Sequence, residues 1–303
     1  MRGFNWDDIQ AFLAIARAGR LTVAARQFGV DHSTLSRRVA ALETALGARL
    51  FDRRSVGLVL TPEGEQLLED AESMEGLALK MRARLDDKSV GLTGTVRIGT
   101  PEGFGTYFLA PRLARLTATH PHLEIELVAN PRLFSLSKRE ADIAITMARP
   151  TQGRVYAHKL VDYALGVYGS RSYLAATPPI RTREDILARP WIGYIEDLIW
   201  TSELNYLPQI ATNLSPRIRI SNVISQASAL RGGIGLGVLP CFIAHTEPDL
   251  IRVLPDEIAL SRSYWMVTHA DTRDVARVKL MSDFLRAQVA ETEDGELFWD
   301  TGF

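Results

Sequence analysis

Six polar side chains crowd the start of one short stretch, DHSTLSRRVAALETALG: His32, Ser33, Thr34, Ser36, Arg37 and Arg38. They bring together an imidazole, three hydroxyls and two guanidiniums. A guanidinium can clasp the O6/N7 edge of a guanine, and hydroxyls or an imidazole can bond bases or phosphates. Asp31 is a capping residue type, and Leu35, Val39, Leu42 and Leu46 recur behind it at helical spacing. The polar groups therefore fall on the first two turns of a helix, where a major-groove reader meets base edges. A plain solvated helix face would use the same residue types, so the flanking segments decide.

Upstream, Asp7 is a cap for a helix to about Ala18, with Ile9, Phe12, Leu13 and Ala16 as its buried stripe and Gly19 as its stop. Thr22 caps a shorter helix, VAARQF, which Gly29 ends. A short helix, a tight turn and a longer helix make a helix-turn-helix. Downstream of Gly47, Leu50-Phe51 and Leu58-Val59-Leu60 read as two short strands around the Arg53–Gly57 turn. This wing would carry Arg53 and Arg54 to phosphates or a neighbouring minor groove. Thr61 then caps a helix with Pro62 at its first position. Residues 1–60 hold nine arginines, no lysine and five acids, a balance of +4 within a chain of net charge −1. The expected DNA contacts are Thr22, the six residues of the third helix, Arg53 and Arg54.

The run AARQFGVDHSTLSRRVAALETALGARLFDRRSVGLVLTPEG resembles the N-terminal signature of LysR-type transcriptional regulators. The likeness lies in Ala24-Ala25, Leu35-Ser36-Arg37, Leu42-Glu43, Leu46-Gly47, Leu50-Phe51, Arg53 and Leu60-Thr61-Pro62-Glu63-Gly64. The family pattern usually has Gln at the first position of the recognition helix, where this chain has His32. The resemblance implies a winged helix-turn-helix bound to double-stranded promoter DNA, a pairing helix, and a domain that senses a small molecule.

From Pro62 to about Lys88 only Gly64 and Gly76 interrupt good helix formers. Leu67, Ala71, Met74, Ala78, Met81 and Leu85 alternate at spacings of four and three, the a/d seam of a coiled coil. A helix packed on its own domain is the alternative. The resemblance implies that this helix joins two subunits, in a homodimer or homotetramer.

A hinge is expected at 89–93. Beyond it, strands TVRIGT, LEIELVAN and ADIAITM alternate with helical segments, and a second unit follows with strands YALGVYGS, WIGY, RIRIS, GLGVLP and LIRVLP. This rhythm predicts mostly parallel, doubly wound sheets. SRSYWMVTH reads as a strand returning to the first unit, where helix 273–290 packs. Two such lobes resemble periplasmic binding proteins and the effector domain of the same family. The expected fold class is thus α plus α/β: a winged helix-turn-helix over 1–61, a linker helix over 62–89, and a two-lobed effector domain over 90–303. Lobe one takes about 90–161 and 268–292, and lobe two about 162–267.

Ligands of such sheets bind outside the carboxyl ends of strands, between lobes. Thr100, Pro101, Asn130 and Met147 end strands in lobe one; Tyr194, Ser221 and Asn222 do so in lobe two. Thr100 and Ser221 each precede a helix, whose N-terminus favours a carboxylate, so an organic anion or polar metabolite is expected. Capping of their own helices is the alternative role.

Other chemistries find no support. GGIGLG follows a helix and enters a strand, the reverse of a dinucleotide loop. His120 and His122 lack a third metal ligand nearby. No nucleophile–base pair stands at recognisable spacing, so neither an enzyme nor a cofactor is expected. The 303 residues, 46% hydrophobic and 23% charged, suffice for two or three folded units. One cysteine, Cys241, in the apolar run VLPCFIA, reads as a buried thiol. The start MRGFNWDDIQ lacks a signal-peptide core, and no stretch of about 18 apolar residues occurs. A cytoplasmic protein without membrane contact is expected.

Overall fold

A computed structural model describes residues 3–54, 57–86, 92–130, 141–151, 154–293 and 298. It comprises two compact units, Met1–Ser89 and Val90–Phe303. The expected hinge falls largely outside the described residues, as do the segment 131–140 and most of the acidic C-terminal tail ETEDGELFWDTGF, residues 291–303.

The first unit is α1 (Trp6–Ala18), α2 (Leu21–Phe28), α3 (His32–Leu46), a ribbon of β1 (Phe51–Arg54) and β2 (Gly57–Leu60), and α4 (Pro62–Asp86). Gly19, Gly29 and Gly47 close the first three helices at φ of 66°, 72° and 68°, where an L side chain is strained. Two caps differ from expectation. Asn5, not Asp7, caps α1, in a capping box with Asp8, and Arg20 holds the cap position of α2. Thr22 therefore sits inside the first turn of α2. Ile9, Phe12, Leu35 and Leu42 are fully buried in one core with Ala24. Leu46, expected on that apolar face, is 39% exposed; the helical pattern runs one turn further than the core that covers it.

The residues that carry the family resemblance build the frame of the wing. Glu43 accepts the backbone N–H of Leu50 at 2.7 Å. Thr61 Oγ1 donates to the Arg49 carbonyl at 2.6 Å and accepts Gly64 N–H at 3.0 Å, so it does cap α4. A Cβ on Gly64 would lie 2.2 Å from the Leu50 carbonyl oxygen. Helix propensity alone would favour alanine there by about 1 kcal/mol. A backbone approach this short outweighs it, because neither chain segment can yield without disturbing the wing. Gly64→Ala is expected to destabilise the first unit by about 1–3 kcal/mol, read as a lower denaturation midpoint.

The long helix serves two surfaces. Ala71 is fully buried in the core of the first unit, with Leu67 and Leu68 packed against it. Arg17 of α1 grips Glu75 with two hydrogen bonds, at 2.5 and 3.3 Å. Ala71 is therefore unavailable to a partner subunit, and Leu67 is half committed to its own unit. Further along, Met74, Leu77, Ala78 and Met81 are exposed. Their spacing of three, one and three puts them on one helix face. The side chain of Leu85 lies outside the described residues.

In the second unit, β3 (Gly94–Gly99) leads through a π-helical turn (Phe104–Leu109) and a 3-10 turn (Ala110–Arg112) into α5 (Leu113–Thr119), then β4 (Leu123–Val128) and β5 (Ile143–Thr146). Next come β6 (Val155–Ser170), α6 (Arg171–Ala175), α7 (Arg183–Leu187), β7 (Ile192–Gly193), α8 (Leu207–Ile210), β8 (Ile218–Arg219) and α9 (Val223–Arg231). The chain continues with β9 (Leu236–Pro240), α10 (Cys241–Ala244), β10 (Leu250–Val253), β11 (Leu260–His269) and α11 (Ala276–Glu293).

The large sheet runs β10-β6-β11-β5-β3-β4, with β9 also on β6. It is mixed, which corrects the expectation of mostly parallel sheets. Among the described strands, only β3–β4, β3–β5 and the small β7–β8 pair are parallel. The reason is that β6 and β11 each thread both lobes, antiparallel to one another and to their other neighbours. Their register breaks at a bulge between Tyr264 and Trp265. Residues from Trp265 onward already pair with β5, so the return to lobe one begins before residue 268. α11 packs on that lobe, where Arg277 Nε donates to the Thr95 carbonyl at 2.8 Å.

One residue of the tail joins the core. Phe298 is fully buried, with its ring 5.0 Å from Phe108 and 5.3 Å from Phe242. Its carbonyl accepts Ala164 N–H of β6 at 2.8 Å.

Candidate DNA interface and effector cleft

The start of α3 presents a graded surface. His32, Ser33 and Arg37 are exposed; Thr34, Ser36 and Arg38 are half-buried. Asp31 holds the cap position without a side-chain cap bond. Arg38 differs from its neighbour. Its guanidinium pairs with Asp7 at 3.2 Å and lies 6.0 Å from the centre of the Phe28 ring. That ties α3 to α1 and α2, so Arg38 is held within its own unit, whereas Arg37 projects.

The wing arginines, Arg53 and Arg54, stand exposed on β1 itself rather than in the turn. With Arg20, Leu21, Thr22, Gly57 and Leu58 they line a cleft between the start of α2 and the ribbon. The cleft exists because Gly57 comes so close to the α1–α2 turn that Leu58 N–H donates to the Gly19 carbonyl at 2.9 Å. Arg20 lies outside the expected set of contacts; its place beside Gly19, at the positive end of α2, is the signal that points to it. Three guanidiniums around one groove suit a phosphate backbone. Replacing Arg53 and Arg54 by alanine is expected to weaken all duplexes alike. The slope of log affinity against log salt should flatten by about 0.9 for each phosphate no longer neutralised, measured by fluorescence anisotropy over a salt series.

In the second unit a cleft opens where β3, β5, β7 and the start of α9 end around the crossing strands. Its volume is about 50 Å³. Of the expected residues, Pro101, Met147, Tyr194, Ser221 and Asn222 line it. Asn222 also caps α9, accepting Ser225 N–H at 2.8 Å, so its capping role holds as well. Thr100 does not line it. It is fully buried, and its Oγ1 would lie 2.3 Å from a Cβ on Gly105. Its side chain is turned into the core against the π-helical turn. Asn130 is exposed at the end of β4 and is likewise absent from the described lining.

Sequence reasoning misses the aromatic wall. Tyr163 of β6, Tyr264 of β11, Tyr206 and Trp200 line the cleft beside Tyr194. Tyr163 and Tyr264 stack at 4.2 Å and 11°, and Tyr194 meets Tyr206 edge-on at 6.0 Å. Burial pushes the phenols of Tyr163, Tyr206 and Tyr264 above the usual range. Burial does the same for Tyr194, with the Glu102 carboxylate as second cause. All four stay protonated near neutral pH. Among the described lining residues the only ionisable group besides these phenols is the acid Glu102.

Among the described residues no cluster of metal-ligating side chains exists, and no helix is long and apolar enough to cross a membrane. Gly232–Gly237 follows α9 and enters β9, the order expected from the sequence.

A winged helix-turn-helix on a long helix, followed by a two-lobed domain with a cleft, defines a DNA-binding regulator that reads a small molecule. The profile described as the LysR substrate binding domain matches residues 89–290, and that of the bacterial regulatory helix-turn-helix protein, lysR family, matches 6–65. The chain belongs to the LysR-type transcriptional regulators. It is 27% identical to the HTH-type transcriptional regulator PtxR of Pseudomonas aeruginosa, over 83% of this chain and 82% of that one. It is 25% identical to the Mau operon transcriptional activator of Paracoccus denitrificans, over 96% and 99%. The fold is similar to that of full-length OxyR from Pseudomonas aeruginosa, at a TM-score of 0.70 and 17% identity over 95% of each chain. It is also similar to CrgA of Neisseria meningitidis, at 0.57 and 24%, over 95% and 99%. Like its family, the protein regulates transcription through a helix-turn-helix that binds promoter DNA and a domain that binds an effector, and it forms oligomers.

Proposed function

We propose that this regulator reads its promoter through His32, Ser33, Ser36 and Arg37 in the major groove, with Thr22, Arg20, Arg53 and Arg54 on the flanking phosphates. The observation that carries this is the contrast between two adjacent arginines: Arg38 is paired within its own unit, while Arg37 projects from the exposed turn. Two copies pair through the exposed face of Met74, Leu77, Ala78 and Met81, and the dimers associate further into a tetramer. The working parts are a DNA head over 1–61, a pairing helix over 62–89 and an effector domain over 90–303. A small molecule in the cleft of that domain shifts the orientation of its lobes, and so the spacing of the heads; it acts only insofar as it prefers one arrangement. The protein works in the cytoplasm, without catalysis.

Genome-wide mapping of bound DNA tests the reading. Recovered sites should hold paired half-sites whose centres are about one helical turn, or a multiple of it, apart. Random recovery, without such pairs, would sink the assignment of a dimeric reader.

A further inference from the structure

Beyond the bulge that follows Tyr264, β6 and β11 leave the cleft wall and border a second hollow. Among the described strands, residues 155–161 of β6 face only β11, while β9 and β10 take up residues 165–170. The first half of β6 is therefore an edge strand, and a groove lies between it and α11. Directly paired residues of antiparallel strands share a face, so Tyr156 and His158 stand with their partners Thr268 and Met266. From α11 come Lys279, Ser282 and Arg286, at the i, i+3, i+7 spacing of one helix face. Arg273 and Asp274 complete the lining, and the volume is about 350 Å³. That falls in the usual range of small-molecule sites, about 300–1,000 Å³.

The lining gathers positive charge. His158, Arg273, Lys279 and Arg286 can each carry it, against the one lining carboxylate of Asp274. A second carboxylate, Asp283, pairs with Arg286 from the same helix. Arg273 lies over the Tyr156 ring, 4.1 Å from its centre, and bonds Asp274 at 3.3 Å, so its guanidinium is already placed. The side chains of Lys279 and His158 are exposed and enter no ion pair or hydrogen bond among the described residues. The floor adds a hydroxyl. Thr268 is 7% exposed, and its side chain takes part in no hydrogen bond with a described residue. A hydroxyl that deep needs a partner, from a ligand or from water.

We propose that this groove is a second ligand site, separate from the effector cleft, for a small phosphate monoester. A phosphoryl group carries nearly two charges and three terminal oxygens, so it engages several cations at once, which a lone carboxylate does not. Arg273 and Arg286 offer forked donors that match it, Lys279 adds a point charge, and the Thr268 hydroxyl adds a donor from the floor. The organic body of the ester lies along Met266 and Tyr156.

The test titrates phenyl phosphate, inorganic phosphate and acetate into the full-length protein by calorimetry, in a chloride buffer near neutral pH. Both phosphates should bind, and acetate should not. Lys279→Gln with Arg286→Gln should weaken phenyl phosphate by about tenfold or more. Both changes are at exposed positions, so the melting temperature without phosphate should hold. Thr268→Val keeps the shape, removes the hydroxyl and should weaken binding several-fold. Arg53→Ala with Arg54→Ala should leave it unchanged, which separates the groove from the DNA head. No phosphate binding at millimolar concentration would overturn the proposal, as would acetate binding equally well. Binding lost with the Arg53 and Arg54 changes but kept in the Lys279 and Arg286 variant would move the phosphate to the DNA head. Binding that falls in the Lys279 and Arg286 variant yet ignores Thr268→Val would reflect diffuse surface charge, and no built site would remain.

Discussion

Glutamate at both Met74 and Met81 is expected to halve the mass of the smallest assembly in light scattering, and to lower operator affinity by about 10²–10⁴-fold. Both methionines are exposed in the single chain, at 40% and 66%, so the substitutions leave the packing of the first unit untouched. Their effect therefore falls on what covers that face. In a helix pair the new carboxylates would confront their copies across the seam, and desolvating like charges there is unfavourable. Operator binding suffers more than the mass change suggests, because each head alone binds its half-site weakly. Linking two heads makes the second binding event intramolecular, and that gain disappears with the dimer. A double variant of unchanged mass would place the pairing surface elsewhere.

Arg37→Ala is expected to cost about 1–3 kcal/mol on the cognate site and far less on random duplex, so that the ratio of the two affinities collapses. Arg38→Ala is the informative companion. Its partner Asp7 is 60% exposed, and ion pairs so open to solvent contribute only about 0–1 kcal/mol. Arg38→Ala should lower stability slightly and leave the affinity ratio in place. Equal loss of discrimination from both variants would mean that α3 reads DNA by overall charge rather than by a base edge. Competition anisotropy with cognate and scrambled duplexes distinguishes the two outcomes.

The first unit is far more legible in the sequence than the second, and the reasons are local. Gly19, Gly29 and Gly47 mark helix ends because each must reach a positive φ, a demand set within one turn. The residues from Leu42 to Gly64 carry a recognisable pattern because they hold the wing by bonds within one short stretch, such as Glu43 to Leu50 and Thr61 to Arg49. A strict seven-residue period along α4 selects Ala71, which the first unit covers, and passes over Leu77, which is 62% exposed; what covers a helix face is a tertiary fact.

In the effector domain the strand ends are legible and the wall is not. Tyr163, Tyr194, Tyr206 and Tyr264 come from two crossing strands and two loops, and no spacing along the chain announces that they meet. Thr100 shows the converse. Its position at a strand end is right, yet the close approach of Gly105 turns its hydroxyl inward. The mixed sheet stays hidden because the first half of β6, VYAHKLVD, alternates and carries charge, so it does not read as one strand with YALGVYGS.

Phe298 gives a late codon of the gene a structural duty. Its ring fills a place between Phe108 and Phe242, and the same Phe242 ring meets Tyr163 and Tyr264 of the cleft wall. A stop codon or proteolytic nick just ahead of it would leave the unit Met1–Ser89 untouched. It would open a void the size of a benzyl group behind the aromatic wall of the cleft. If that cleft holds the effector, as proposed, such a chain is expected to keep its DNA binding and to lose the firm backing against which a ligand must press to be heard.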